Sequence, residues 1–385
     1  MRNNKSLMTI FLVVFIDLLG FGIILPLLPY IAEKYSANPF QIGMLTASYS
    51  FFQLIATPIL GRLSDRYGRK KLLVISQLGS AVGYFLLAIS NNLPLLFISR
   101  IIDGITGGNI SIAQAYIADV TTKENRARGM GIIGAAFGLG FIFGPAIGGF
   151  LSRYSYSAPA YFATAVSLVT VFTTIFFLKE TVDEKQALVS PKTKLNLKEL
   201  QRVLSIFPIG ILIVTFFIIN LASSIQQGNF ALWTQKTFDY GPVQNGWLFT
   251  YIGVIAVFVQ LKVLPFLTKK LHEKTIIYIS LFFMFLGLSL IPLVPTPNFL
   301  YVSLFFLPFG MGLSNPSIQA LASENVPPEE YGGTLGFLQS AGSLGRIIGP
   351  IIGGIIFQSF GKDNAFYFAG FIILLVLVYS KWKLK

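Results

Sequence analysis

Twelve apolar stretches, each about the length needed to cross a bilayer, run through this chain with little left between them. A helix rises about 1.5 Å per residue, so a hydrocarbon core of ~30 Å takes about 20 apolar residues. By that measure the stretches fall at 7–31, 41–62, 72–90, 93–117, 129–151, 157–178, 206–231, 243–267, 275–293, 298–321, 333–357 and 363–381. Hydrocarbon offers no water to backbone N–H and C=O groups, which leaves helices as the way for such stretches to cross. The expected fold class is therefore an all-α integral membrane protein with twelve transmembrane helices. Charged residues make up 12% of the chain, about half the ~25% of soluble domains. The first stretch follows Arg2 and Lys5 as a signal peptide would. It contains Asp17, however, and lacks a small-x-small cleavage site, so it reads as the first span.

The basic residues orient the spans. Counted with the N-terminus inside, 22 of the 29 Lys and Arg lie on the cytoplasmic side and 4 outside, with Arg100, Lys262 and Arg346 inside spans. Such a bias predicts cytoplasmic N- and C-termini. The net charge of +13 is thus read as a topology signal and not as a nucleic-acid footprint. The chain has no Cys and one His, His272, which excludes disulfides, thiolate metal sites and Cys/His catalysis. No nucleophile–base pair, metal cluster or Gly-x-x-x-x-Gly-Lys-Ser/Thr phosphate loop is visible. We expect neither an enzyme nor a cofactor nor a bound metal.

The chain also repeats itself. Gly138 to Leu151 aligns without gaps to Ser343 to Ile356, 205 residues on, each stretch carrying Gly-Pro and Gly-Gly. Asn109 pairs with Asn315, Val120 with Val326 and Glu124 with Glu330 at a shift of 206. Spans five and eleven are therefore equivalent. The expectation is two pseudo-symmetric six-helix bundles, 1–180 and 206–385, joined by a cytoplasmic linker at 181–205, the one long polar segment. Within the linker, Lys194 to Leu204 could lie as an amphipathic helix on the membrane surface. Parallel repeats of this kind place a substrate site between halves near mid-membrane.

Between spans two and three lies a charged knot, Gly61-Arg-Leu-Ser-Asp-Arg-Tyr-Gly-Arg-Lys-Lys71, in which Gly61 and Gly68 would permit a tight turn and close approach. This stretch resembles the first signature of the major facilitator superfamily. Asp17 to Pro29 resembles the first-helix signature of its drug/proton antiporters. Arg100 with Gly104, Gly107 and Gly108 resembles the fourth-helix signature, and Gly138 to Gly149 the fifth. Arg100 to Gly108 and Ala115 to Thr121 are similar to tetracycline/proton antiporters, a close likeness that covers roughly the first 180 residues. Exporters of that type carry further acidic residues in the third and ninth helices, whereas 72–90 and 275–293 hold no Asp or Glu. The second-half counterpart of the knot, Pro265 to Lys274, has lost its glycines and its Asp.

Charges within spans are functional candidates by default, because they are costly in lipid. Asp17 sits about ten residues, hence ~15 Å, into its helix. It reads as a proton site or as a helix–helix hydrogen bond. Arg100 and Asp103 share a helix face at i and i+3, either as a neutralising pair or, as the resemblance implies for Arg100, in proton coupling. Arg346 lies near mid-membrane and suits an anionic substrate group, or it packs against helix ends. The resemblance implies a conformational latch in Gly61, Asp65, Arg66, Gly68 and Arg69, with Asp65 near the start of span eleven around Gly332 and Gly333. Gly144, Pro145, Gly148 and Gly149, with Gly349, Pro350, Gly353 and Gly354, mark hinges or close packing. Gln53, Asn109, Gln114, Gln226, Gln227, Asn315, Gln319 and Gln339 are candidates to line a substrate cavity.

The family likeness implies a secondary active transporter, a proton-coupled antiporter exporting amphipathic organic compounds by alternating access. A carrier of an anionic metabolite or glycolipid anchored by Arg346 is the alternative. Expected partners are a small-molecule substrate, protons and the lipid bilayer, not nucleic acid. The protein would work as a monomer in a prokaryotic cell (inner) membrane.

Overall fold

The structure, a computed structural model, describes residues 2–122, 125–182, 206–327 and 330–383. Among these residues are twelve helices long and apolar enough to cross a membrane, and no strand. Helices α1 (Arg2–Ile24), α2 (Leu28–Glu33), α3 (Pro39–Tyr67), α4 (Arg69–Ala88), α5 (Leu93–Thr106), α6 (Asn109–Val120), α7 (Arg126–Leu151) and α8 (Ala158–Phe177) make the first six spans. Helices α9 (Ile209–Phe238), α10 (Pro242–Phe258), α11 (Leu264–Thr268), α12 (Glu273–Leu290), α13 (Pro297–Glu324), α14 (Tyr331–Phe360) and α15 (Asn364–Lys383) make the others. The surface helix expected at 194–204 lies outside the described residues.

Three spans read as continuous are interrupted, each for a visible reason. The first breaks at Leu25–Leu27, where Pro26 lacks an N–H and its ring crowds the carbonyl one turn back. The turn keeps its bonds: Leu25 N–H reaches Phe21 O at 3.0 Å and Leu27 N–H reaches Ile24 O at 3.0 Å. The fourth breaks at Gly107–Gly108, and the amide of Gln53 from α3 donates to the Gly107 carbonyl at 3.0 Å. The eighth carries a π turn, Val259–Val263, just ahead of Pro265. A wider turn accommodates the missing donor of the proline.

The described residues gather into two compact units. The first holds the residues to Ala37, those from Ser48 through the sixth span, and Gly241–Thr250; the second holds Asn38–Ala47, the seventh span to Tyr240, and Tyr251 onward. The sequence places the boundary at 181–205 alone, so two short exchanged segments, the starts of α3 and α10, are an addition that the structure makes. Within unit 1, α1 packs on α7 and α8, and α4 on α5 and α8. Unit 2 repeats the scheme six spans later: α9 packs on α14 and α15, and α12 on α13 and α15. The internal repeat in the sequence is thus a repeat of helix partners.

The paired Gly-Pro and Gly-Gly stretches act as packing faces. A Cβ on Gly148 would meet the Ile23 carbonyl of α1 at 2.7 Å, and one on Gly144 would meet the Leu19 carbonyl at 2.8 Å. The neighbouring Gly149 faces the start of α10 instead, with the Pro242 carbonyl at 3.1 Å. Unit 2 mirrors this. Gly349 faces the Leu221 carbonyl of α9 at 2.6 Å, Gly353 faces α9 at Asn229, and Gly354 faces Pro39 and Phe40 at the start of α3. Pro145 and Pro350 also meet the exchanged segments: the Pro145 carbonyl faces Gly246 and the Pro350 carbonyl faces Gly43. Backbones can approach this closely only where side chains are absent, the usual basis of helix association in lipid.

Apolar side chains divide between core and lipid. Ile10, Val13 and Val14 of α1 pack with Ile112 and Tyr116 of α6 and Ile133 of α7. Phe172 and Phe176 of α8 stay outside, Phe176 at 74% exposure, as suits a surface solvated by acyl chains. Substituting Gly148→Val should force α7 off α1 and cost about 1–3 kcal/mol through overpacking. Gly134→Ala, whose added Cβ meets nothing within 4 Å, should be neutral or gain up to ~1 kcal/mol from helix propensity. Thermal unfolding of the purified variants in one detergent checks both.

Candidate functional site

Unit 1 brings the in-span charges Asp17, Arg100 and Asp103 into one cluster. Asp17, mid-way along α1, accepts a hydrogen bond from the Asn109 amide at the first turn of α6, 2.8 Å away. The Gly107–Gly108 break decides this contact, because it lets α6 start afresh with Asn109 buried against α1. One helix segment earlier, Arg100 Nη1 and Asp103 Oδ2 are 3.3 Å apart, both side chains 3% exposed. The expected i,i+3 pair therefore forms, and in a dry place. Among the described residues, Arg100 Nε and Nη2 have no hydrogen-bond partner, so the guanidinium keeps donor capacity beyond Asp103.

Tyr84 was not among the residues singled out from the sequence, and it ties the cluster together. It is buried on α4, its ring lies 5.8 Å from the Arg100 guanidinium carbon, and its hydroxyl sits against Gly20, three residues beyond Asp17. Gly20, which has no side chain, leaves the space that this hydroxyl takes. Gly83 makes a similar allowance, since a Cβ there would meet the Asp103 Cβ at 2.8 Å. Half-buried Asp17 and buried Tyr84, Arg100, Asp103 and Asn109 thus form one polar group built by α1, α4, α5 and α6.

The other polar candidates are placed separately. Gln53 bonds Tyr49 Oη at 2.9 Å as well as the Gly107 carbonyl, so it serves the break in the fourth span. Gln114 is exposed on α6. In unit 2, Arg346 donates from Nη1 to Asn220 Oδ1 at 3.2 Å and from Nη2 to Ser343 Oγ at 2.7 Å. Asn220, on α9, is a second residue that the sequence reading passed over. Gln226 is buried and Gln227 half-buried on α9, Asn315 and Gln319 are half-buried on α13, and Gln339 is exposed on α14.

The charged knot is not the loop that its composition suggests. Helix α3 runs through it to Tyr67 and α4 starts at Arg69, so the connection is Gly68 alone, at φ +106°. Gly61 is correspondingly not a turn residue. It lies inside α3, and a Cβ there would meet nothing within 4 Å among the described residues. Helices can overrun the apolar region because charged side chains are stable once they reach water. Arg69 is the buried member, 9% exposed. It pairs with Asp65 one turn back, reaches Asp119 Oδ2 at the end of α6 at 3.1 Å, and donates to Ser64 Oγ at 2.6 Å. Arg66 turns outward over the Tyr67 ring, 5.3 Å from its centroid. Asp119 and Glu180 join this network without having been singled out from the sequence. Glu180 accepts from the backbone N–H of Arg69 at 2.7 Å and of Lys70 at 3.2 Å.

A family model described as Major Facilitator Superfamily matches residues 10–333 and 263–385. The chain belongs to that superfamily. It is 35% identical to the class H tetracycline resistance protein of Pasteurella multocida, covering 92% of this chain and 90% of that one. It is 31% identical to multidrug resistance protein 2 of Bacillus subtilis (strain 168), covering 98% and 96%. The likeness to tetracycline resistance proteins therefore extends well past the first 180 residues. Among solved structures, the nucleoside transporter NupG matches with a TM-score of 0.81 at 17% identity, covering 99% of each chain. The human organic anion transporter MFSD10 matches with a TM-score of 0.73 at 22% identity, covering 98% of this chain and 99% of that one. Both likenesses are of fold. The superfamily is one of transporters and not of enzymes, and this member is a multi-pass membrane protein.

The buried pair makes a stability prediction. Removing one partner of a buried ion pair leaves an uncompensated charge, typically ~3–5 kcal/mol, whereas removing both is far milder. Arg100→Gln should therefore unfold at a lower temperature than the double variant Arg100→Gln, Asp103→Asn. A double-mutant cycle of detergent melting temperatures measures the difference.

Proposed function

We propose that this protein exports amphipathic organic compounds in exchange for protons, by alternating access between two six-helix bundles, 1–180 and 206–385, with 181–205 as their linker. It works as a monomer in a prokaryotic inner membrane with both termini in the cytoplasm. The names of its relatives, tetracycline resistance and multidrug resistance proteins, support drug efflux as the coarse reading. The observation that carries proton coupling is the state of Asp17. Its carboxylate is half-buried in the middle of a span, and its partner is a neutral amide, Asn109. Such a group can take or release a proton without breaking an ion pair. Arg100, already engaged with Asp103 and holding spare donors, is the cation of the same cluster that would favour the deprotonated state. Alternating exposure to the two sides then couples proton entry to substrate exit.

A second reading, proton-coupled carriage of an anionic metabolite or glycolipid, is favoured by Arg346. The residue is half-buried near the middle of α14, and its guanidinium donates to Asn220 and Ser343. A planar fork of donors suits a carboxylate or phosphate. Asp65, Arg66, Gly68 and Arg69 act in either reading as a cytoplasmic latch that breaks and re-forms during the cycle.

Purified protein in proteoliposomes under a pH gradient tests this, with cationic dyes, tetracycline and organic anions as probes. Wild type should show substrate-evoked proton movement, and Asp17→Asn should reduce it to background while remaining folded. Undiminished transport by Asp17→Asn would remove the proton role from that residue. Proton movement evoked only by anions and lost in Arg346→Gln would establish the second reading.

A further inference from the structure

Glu180 stands just past the sixth span, where the chain leaves the helical bundle. Helix α8 ends at Phe177, and Leu178 turns extended (φ −85°, ψ 134°). That turn brings Lys179 to Thr181 across to the knot between α3 and α4. There the first amides of α4 lack a local cap, because Gly68 precedes them and has no side chain. Glu180 supplies the cap from 110 residues away, Oε1 accepting from Arg69 N–H at 2.7 Å and Oε2 from Lys70 N–H at 3.2 Å. A negative group at a helix N-terminus is favoured by both the free N–H groups and the helix dipole. Gly68 makes this possible twice over. Its φ of +106° suits glycine, and a Cβ in its place would collide with the Glu180 carboxylate.

The docking extends to the side chains. Thr181 Oγ1 donates to Asp119 Oδ2 at 2.9 Å, the same oxygen that Arg69 Nε reaches at 3.1 Å. Lys70 Nζ donates to the Ile175 carbonyl at 2.6 Å, fastening the knot to the last turn of α8. The Arg69 backbone is thus fixed by Glu180, and its guanidinium by Asp65, Ser64 and an Asp119 that Thr181 helps to orient.

We propose that Glu180 is a positioning residue for transport: it docks the start of the polar segment 181–205 onto the knot and thereby sets the placement of Arg69. A pull on that segment reaches the Arg69–Asp65–Asp119 network through Glu180 and Thr181 directly, without passing through the span cores. The inference rests on the alternating-access reading for its effect on rate, but not for the docking itself.

Two measurements on the full-length protein separate these. Amide hydrogen exchange over residues 68–72, in lipid nanodiscs, should accelerate in Glu180→Ala and less in Glu180→Gln, which keeps one acceptor oxygen. Unchanged exchange in Glu180→Ala would overturn the docking. In proteoliposomes the maximal transport rate should fall roughly threefold to thirtyfold, the span implied when a cap's worth of stabilisation is lost from the barrier-determining state. The substrate KM should stay put, Glu180→Asp should recover part of the rate, and Glu180→Ala should add little once Arg69→Ala is present. Transport per folded molecule equal to wild type, with exchange accelerated, would show a mere structural cap and overturn the positioning role. If Glu180→Ala fails to fold, Glu180→Gln and Thr181→Ala carry both readouts. A wild-type protein that moves none of the probes would overturn the transport reading, while exchange still decides the docking.

Discussion

Hydrocarbon supplies no hydrogen bonds, and the architecture depends on that constraint. Every backbone group inside a span must be satisfied by the protein, so the chain can be interrupted only where a substitute partner is at hand. The break at Gly107–Gly108 exists because Gln53 offers an amide to the stranded carbonyl. The turn after α1 keeps its bonds to Phe21 and Ile24 although Pro26 donates none, and the π turn before Pro265 absorbs a missing donor by widening the helix. These interruptions have consequences. The glycine break is what permits a new helix to begin with Asn109 facing Asp17.

With lipid as apolar as the side chains, burying apolar surface does little to hold helices together. Close approach must do it, and the glycines of α7 and α14 provide the surfaces. In each unit one row of glycines faces the first span of that unit, while the adjacent Gly149 or Gly354 faces a segment exchanged from elsewhere in the chain. The same short motif therefore serves two neighbours. Its duplication 205 residues apart reproduces the arrangement in the second unit. A hinge role would add to this packing role and does not compete with it.

Charge in such an environment is stable only in groups, and the protein makes two kinds in its first unit. Asp17, Tyr84, Arg100, Asp103 and Asn109 form a largely buried group within the spans, in which one carboxylate faces a cation and the other faces an amide. Asp65, Arg69, Asp119 and Glu180 form a second group at the helix ends, where carboxylates serve both the guanidinium and the helix amides. The asymmetry in the first group suits proton exchange. The interlocking in the second suits a mechanical latch.

The twelve spans, the six-plus-six repeat and the identity of the charged residues within spans were all legible in the sequence. Length, hydropathy and in-span charge are set by the bilayer, which acts on each segment independently of its neighbours. Asp17, Arg100 and Asp103 could be singled out because any charge in hydrocarbon needs a reason. Tyr84, Asn220, Asp119 and Glu180 could not, since a tyrosine, an asparagine or a helix-end carboxylate is unremarkable until its partner is known. Glu180 caps amides 110 residues away, and Tyr84 matters because Gly20 leaves room for its hydroxyl. The sequence alone determined which segments cross the membrane and which charges they carry, because transfer into lipid is a local free energy. Only the tertiary structure decided that Asp17 meets an amide, that the knot is a single glycine between two helices, and that Glu180 and Thr181 hold it, because those are contacts between segments far apart in the chain.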